Sequence, residues 1–256
     1  TKAWGSSKPM ANWKGKVGLV CASTDAIDHK MKVFQELGER FNRVNLKGGK
    51  EARKQASKMA IRNLDRKSEI KRSLKSSGHK FLDHYISIAR EGGVIILEKE
   101  LQEKIRVMAD VTAILRTPIQ GVKGGGFEHI PEAEYGTRLG EQLGMIAKAN
   151  ALLDGESMVG IADIELASRV AMDAIPRLRT QIVSALLNKE VSQVGIIRFA
   201  NMPKKSVQRA LDELQALNVI HYPKPRVIAL TPDIYENLVE SSLSKKILAQ
   251  YPRIEF

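Results

Sequence analysis

The chain has almost no cysteine: Cys21 stands alone among 256 residues. That excludes a disulfide framework and a thiolate metal cluster, and it fits a reducing, cytoplasmic setting. Aromatic residues make up only 5% of the sequence, too few for the stacked platforms that hold single-stranded nucleic acid. Long apolar runs are missing too. The longest, Val17 to Ala22 and Gly92 to Leu97, fall far short of the roughly 20 residues that span a bilayer. The N-terminus carries no apolar targeting segment, so no membrane partner is expected. Acidic residues are outnumbered, 29 Asp and Glu against 41 Lys and Arg, for a net charge of +12. An excess of that size points to a polyanionic partner. What is present is 43% hydrophobic and 27% charged, the balance of a folded chain and not of a disordered or collagen-like one. The length suits two small domains, or one large domain with an appendage.

The charge is unevenly placed. Between Lys30 and Lys80 there are 16 Lys and Arg against 5 Asp and Glu, a net of +11, which leaves about +1 for everything else. The block is not a tail, because Phe34, Leu37, Phe41, Val44, Leu46, Met59, Ile61 and Ile70 are threaded through it. Two readings stand side by side: a solvated helical face, or a surface that meets phosphates.

Thr1 to Lys16 reads as a loop, rich in Gly, Ser, Lys and Pro and without a period. The run Lys16-Val-Gly-Leu-Val-Cys21 suits a strand buried on both faces of a parallel sheet. Phe41-Asn-Arg-Val-Asn-Leu46 alternates as a second strand would. Between them Ile27, Met31, Phe34 and Leu37 fall at helical spacing, and Gly38 stands where a helix would stop. From Gly49 to about Asp173 the pattern is helical, with candidates at 50–75, 79–91, 98–116, 133–153 and 161–174. Gly92-Gly93, Thr117 to Pro131 and Asp154 to Gly160 are the breaks. The expected fold is therefore mainly α with a small α/β remnant.

The last third is the most legible. Pro176 suits a first helical position, and Leu178, Ile182, Ala185 and Leu186 continue as an amphipathic helix. A short helix fits Val191 to Ala200. In the helix after Pro203, Val207, Ala210, Leu211, Leu214 and Leu217 share one face, leaving Lys204, Lys205, Ser206, Gln208 and Arg209 outside. Asn218 to Tyr222 and Val227 to Leu230 read as strands joined by Pro223-Lys-Pro-Arg226. Three helices, a strand, a basic turn and a strand resemble a winged helix-turn-helix. In that family the third helix enters the major groove and the wing touches backbone, although many members serve protein contacts instead. The resemblance implies DNA contacts from Lys204, Lys205, Ser206, Gln208 and Arg209 on the helix, and from Lys224 and Arg226 on the wing.

Catalytic motifs are absent. Gly121-Val-Lys-Gly-Gly-Gly126 and Leu46-Lys-Gly-Gly-Lys50 lack the spacing of a phosphate-cradling loop, and no G-x-G-x-x-G follows a strand. His29, His79, His84, His129 and His221 show no ligand spacing with Cys or carboxylates, so no metal site is expected.

Two short motifs bear on function. A run that begins as the first strand ends in polar Ser23-Thr24-Asp25, and Leu37-Gly-Glu-Arg-Phe41 opens the next strand. This resembles the second half of an AAA+ ATPase core. Tyr135-Gly-Thr-Arg-Leu-Gly-Glu-Gln-Leu143, leading into Ile146-Ala-Lys-Ala-Asn-Ala151, resembles the lid helix of minichromosome-maintenance-like helicases. A winged helix follows the lid in those proteins, and similar modules occur in replication proteins of phages and mobile elements. The likeness covers about 17–46, 132–175 and 176–240. It implies Ser23 and Thr24 in the sensor 1 region, Arg40 as arginine finger and Arg138 as sensor 2. Arginine suits both roles, since a permanently charged planar fork stabilises charge spreading over a transferring phosphoryl group. The implied parts are the end of an AAA+ core at 1–48, a helical lid region at 49–175 and a winged helix at 176–256. ATP and Mg2+ would serve the intact protein and not this chain alone, because Walker A and Walker B are not in it and would lie upstream of Thr1. A finger acting across subunits implies a ring, most simply a hexamer. The function expected is the C-terminal portion of an ATP-driven DNA helicase or replication initiator. The alternative is a transcriptional regulator with an N-terminal helical dimerisation or ligand domain.

Overall fold

The computed structural model describes residues 20–22, 42–46, 50–90, 94–121, 126–189 and 192–251. Val20 to Ala22 take no regular structure, and Val20 is fully exposed. A valine in that position is not part of a strand covered on both faces. Residues 42–46 pair with no strand. Instead the Asn45 backbone N–H donates to the Asp173 carboxylate (2.9 Å), and its side-chain amide donates to the Asp173 carbonyl (3.3 Å). The described parts of the expected α/β remnant are thus not strands, because their backbone groups find side-chain partners or solvent and no neighbouring strand.

Two exposed helices come next, α1 (Lys50–Arg62) and α2 (Lys67–Arg90). The break falls at Asn63–Arg66, inside the helix expected at 50–75, and not in the gap 76–78 left between the candidates 50–75 and 79–91. One glycine costs a helix only about 1 kcal/mol. Gly78 is carried through the middle of α2.

The core is built around α3 (Lys99–Arg116). Leu101, Ile105, Met108, Val111, Thr112 and Leu115 are all buried, at helical spacings. A ragged two-stranded hairpin, β1 (Gln120–Gly121) and β2 (Phe127–His129), lies within the expected break. Helix α4 (Thr137–Leu153) buries Leu139, Leu143, Ala147 and Ala151, a stripe stepping four residues at a time. It starts at Thr137 and not near 133, after Gly136, which lies tight on α3. A Cβ at Gly136 would sit 2.8 Å from the Asp110 nitrogen. Helix α5 (Ile161–Ala174) opens on Asp163, whose carboxylate accepts from the Gly160 N–H at 2.7 Å and from the Asn150 amide at 2.7 Å. Helices α3, α4 and α5 pack mutually.

Helix α6 (Arg177–Leu187) is buried nearly all round, so the amphipathic expectation is corrected. It is covered by α7 (Gln193–Ala200), α8 (Lys204–Ala216) and β4 (Val227–Leu230) on some sides, and elsewhere by α10 (Leu243–Gln250). Strand β3 (Ile220–Lys224) pairs antiparallel with β4 and packs on α8. Helices α9 (Pro232–Glu240) and α10, which the sequence pattern did not single out, fold back over α3, α5 and α6. One contiguous core cluster therefore runs from Leu101 to Ile247, across position 175. The chain is mainly α, and no described helix is long and apolar enough to cross a membrane.

Candidate nucleic-acid interface

Helix α8 carries the residues of interest because of how it is held. Ser192 caps α7 by accepting from the Gly195 N–H at 3.1 Å, and Asn201 ends α7 in the left-handed region at φ 49°. Asparagine tolerates that region better than most residues. The chain then turns through Met202 and Pro203, and α8 begins at Lys204 without a side-chain cap. Val207, Ala210, Leu211 and Leu214 anchor its inner face. The outer face follows from helical geometry, as the spacing implied.

Lys204 and Lys205 are exposed in the first turn, and Ser206 is half-buried. Neither lysine forms an ion pair among the described residues. No acidic residue accompanies them in that turn. Cations at a helix N-terminus oppose the helix dipole, whereas an anion there would be stabilised by it. Lys224 and Arg226, likewise exposed and unpaired among the described residues, stand at the hairpin turn between β3 and β4. Arg226 holds a left-handed conformation at φ 66°.

Gln208 and Arg209 are exposed but already engaged. Gln208 accepts from the Gln193 amide of α7 and donates to Asp212 at 2.8 Å. Arg209 donates to Glu213 at 3.1 Å. The second Glu213 oxygen accepts from Arg179 at 2.9 Å, a buried residue of α6 that also donates to the Leu115 and Thr117 carbonyls at 2.9 and 2.6 Å. Arg179 thus ties the end of α3 to the last turn of α8. Periodicity gave no sign of it, since it merely neighbours Leu178. Tyr222 on β3 was also missed. Partial burial raises its phenol pKa, and the Asp212 carboxylate adds to the rise.

Arg138, the second residue of α4, is exposed, with its guanidinium 3.8 Å from Glu134. Glu134 also accepts from the buried Arg116 at 2.9 Å, another arginine that the pattern did not single out. Ser23, Thr24 and Arg40 lie outside the described residues. Among the described residues no group of three His, Cys, Asp or Glu could hold a metal ion. Arg138 alone does not make a nucleotide site. No protein-family model, characterised protein or solved structure matches the chain.

Proposed function

We propose that the chain binds duplex DNA through α6 to β4 acting as a winged helix-turn-helix, with α8 laid toward a groove and the β3–β4 turn against the backbone. The observation that carries this is the first turn of α8, with two unpaired lysines, no acid and no side-chain cap. In the free protein that arrangement works against the helix dipole, and a phosphate placed there offsets it. Lys224 and Arg226 would add backbone contacts from the hairpin. The engagement of Gln208 and Arg209 within the chain favours phosphate contact over base readout.

By the likeness of Leu37–Phe41 and Tyr135–Leu143 to AAA+ motifs, the same chain would form the C-terminal part of an ATP-driven helicase or replication initiator. In this proposal it works in a ring, and Arg138 closes a lid over nucleotide bound by upstream elements.

Fluorescence anisotropy tests the DNA reading. The Lys204→Ala/Lys205→Ala variant should bind all duplex sequences more weakly, with the log–log salt slope reduced by roughly 0.9 per lost contact. Unchanged affinity and slope would assign the module to protein contacts. The ATPase class is tested by turnover of the protein that carries the nucleotide loop. Arg40→Ala there should cost about 10³-fold or more in hydrolysis while leaving nucleotide binding largely intact. A wild-type rate would remove the finger assignment.

A further inference from the structure

We infer that the α1–α2 arm is a second DNA-binding surface, one that lies along the backbone of duplex DNA independently of α8 and the hairpin. Residues 50–90 hold twelve Lys and Arg against four Asp and Glu, a net of +8. The arm contributes nothing to the core: α1 buries no residue, and no described side chain of α2 is buried. Its charge is ordered. Lys50, Lys54, Lys58 and Arg62 recur every four residues and so share one face of α1. At a rise of about 1.5 Å per residue they form a row spaced roughly 6 Å apart.

Helix α2 separates two faces. Ile70, Leu74, Phe81 and Tyr85 form one stripe, and the Tyr85 hydroxyl donates to the Leu153 carbonyl at the end of α4 (2.9 Å). That bond holds the Tyr85 end of the stripe against the body of the molecule, while Leu74 and Phe81 stay exposed. Lys71, Arg72 and Lys75 stand on the adjoining side, turned away from it. Like charges four residues apart destabilise a helix, and Arg66 with Glu69 is the arm's ion pair among the described residues. A polyanion relieves that repulsion by neutralising the row and releasing its own counterions.

Charge complementarity selects the occupant. A second copy of the arm would bring +8 against +8. A bilayer surface needs a wide apolar face beside the cations; α1 offers only Ala52, Ala56 and Met59 behind the row and Ile61 at its edge, and the exposed Leu74, Phe81, Leu82 and Ile86 belong to α2, not to the α1 row. A stacking platform for single strands is lacking as well, since the aromatic rings of Phe81 and Tyr85 pack on each other with centroids 4.6 Å apart. A regularly spaced row of cations, winding slowly around α1, matches phosphates that themselves wind around a duplex.

The test uses the full chain, a mixed-sequence duplex and anisotropy between about 50 and 200 mM salt. Lys50→Gln/Lys54→Gln/Lys58→Gln/Arg62→Gln should weaken binding at least about tenfold at 0.1 M salt and lower the salt slope by about 3 to 4. The same decrement should recur in the Lys204→Ala/Lys205→Ala background, whether or not those lysines themselves matter. Lys50→Arg/Lys54→Arg/Lys58→Arg should bind as wild type. Should the glutamine variant lose helix by circular dichroism, Lys71→Gln/Arg72→Gln/Lys75→Gln applies the same test to α2. Wild-type affinity and slope in a folded glutamine variant overturn the inference. So does an equal loss in the arginine variant, because charge would then not be the cause. Lost binding to phosphatidylserine vesicles with unchanged DNA affinity overturns it in favour of a membrane surface.

Discussion

At the scale of single residues, the most consequential side chain is Arg179. It is almost fully buried and meets two carbonyls beyond or at the end of α3 together with the carboxylate of Glu213 on α8. Removing it strands a partly buried carboxylate and two acceptors. Breaking a buried pair in this way costs about 3–5 kcal/mol, whereas replacing both partners by apolar groups is often close to neutral. Arg179→Met should therefore lower unfolding stability by about 3–5 kcal/mol in urea, and Arg179→Met/Glu213→Leu should recover much of the loss. A single variant within 1 kcal/mol of wild type would show that the network holds nothing together. Lys204, Lys205, Lys224 and Arg226 were legible because solvent-facing residues of an amphipathic helix or a hairpin turn are fixed by local period. Arg179 was not, because its burial is decided by α3 and α8, each more than thirty residues away.

At the scale of elements, local pattern located helices better than it located their ends. The strands expected at Lys16–Cys21 and Phe41–Leu46 show why in their described residues, Val20–Cys21 and Asn42–Leu46. An apolar or alternating run becomes a strand only where a neighbour supplies the other half of the ladder, and residues 42–46 meet Asp173 instead. Helix α2 makes the same point in reverse. The gap at 76–78 between the candidates 50–75 and 79–91 is helical, because propensity differences of about 1 kcal/mol are outvoted by the residues on either side. Gly78 has negative φ, and a Cβ there would meet nothing within 4 Å. Gly78→Ala should thus stabilise α2 by about 0.5–1 kcal/mol, seen as greater helicity and later fraying on warming by circular dichroism. A loss of helicity would show that Gly78 faces something that needs its bare backbone.

At the scale of the whole molecule, the question is whether the helical region α3–α5 and the unit α6–β4 behave as one body. Sequence reading drew a line at 175/176. The packing gives three reasons to expect coupling across it. Helix α9 returns from the far side of the hairpin to pack on α3, α10 bridges α5 and α6, and Arg179 joins α3 to α8. Leu143 on α4 and Leu214 on α8 are both fully buried members of the same core cluster. Truncating either to alanine should cost about 2–5 kcal/mol, from lost transfer free energy plus the cavity left behind. If residues 99–251 unfold cooperatively, the two variants will each shift one and the same calorimetric transition, and hydrogen exchange in α4 will quicken in Leu214→Ala as well as in Leu143→Ala. Independent units would give another result: two transitions, each moved by only one variant, with exchange in α4 indifferent to Leu214. Cooperative unfolding would mean that strain applied at α4 by a ligand near Arg138 has a packed route to α8. Independent melting would mean that these contacts, the arginine network included, are too weak to transmit more than a fraction of such strain.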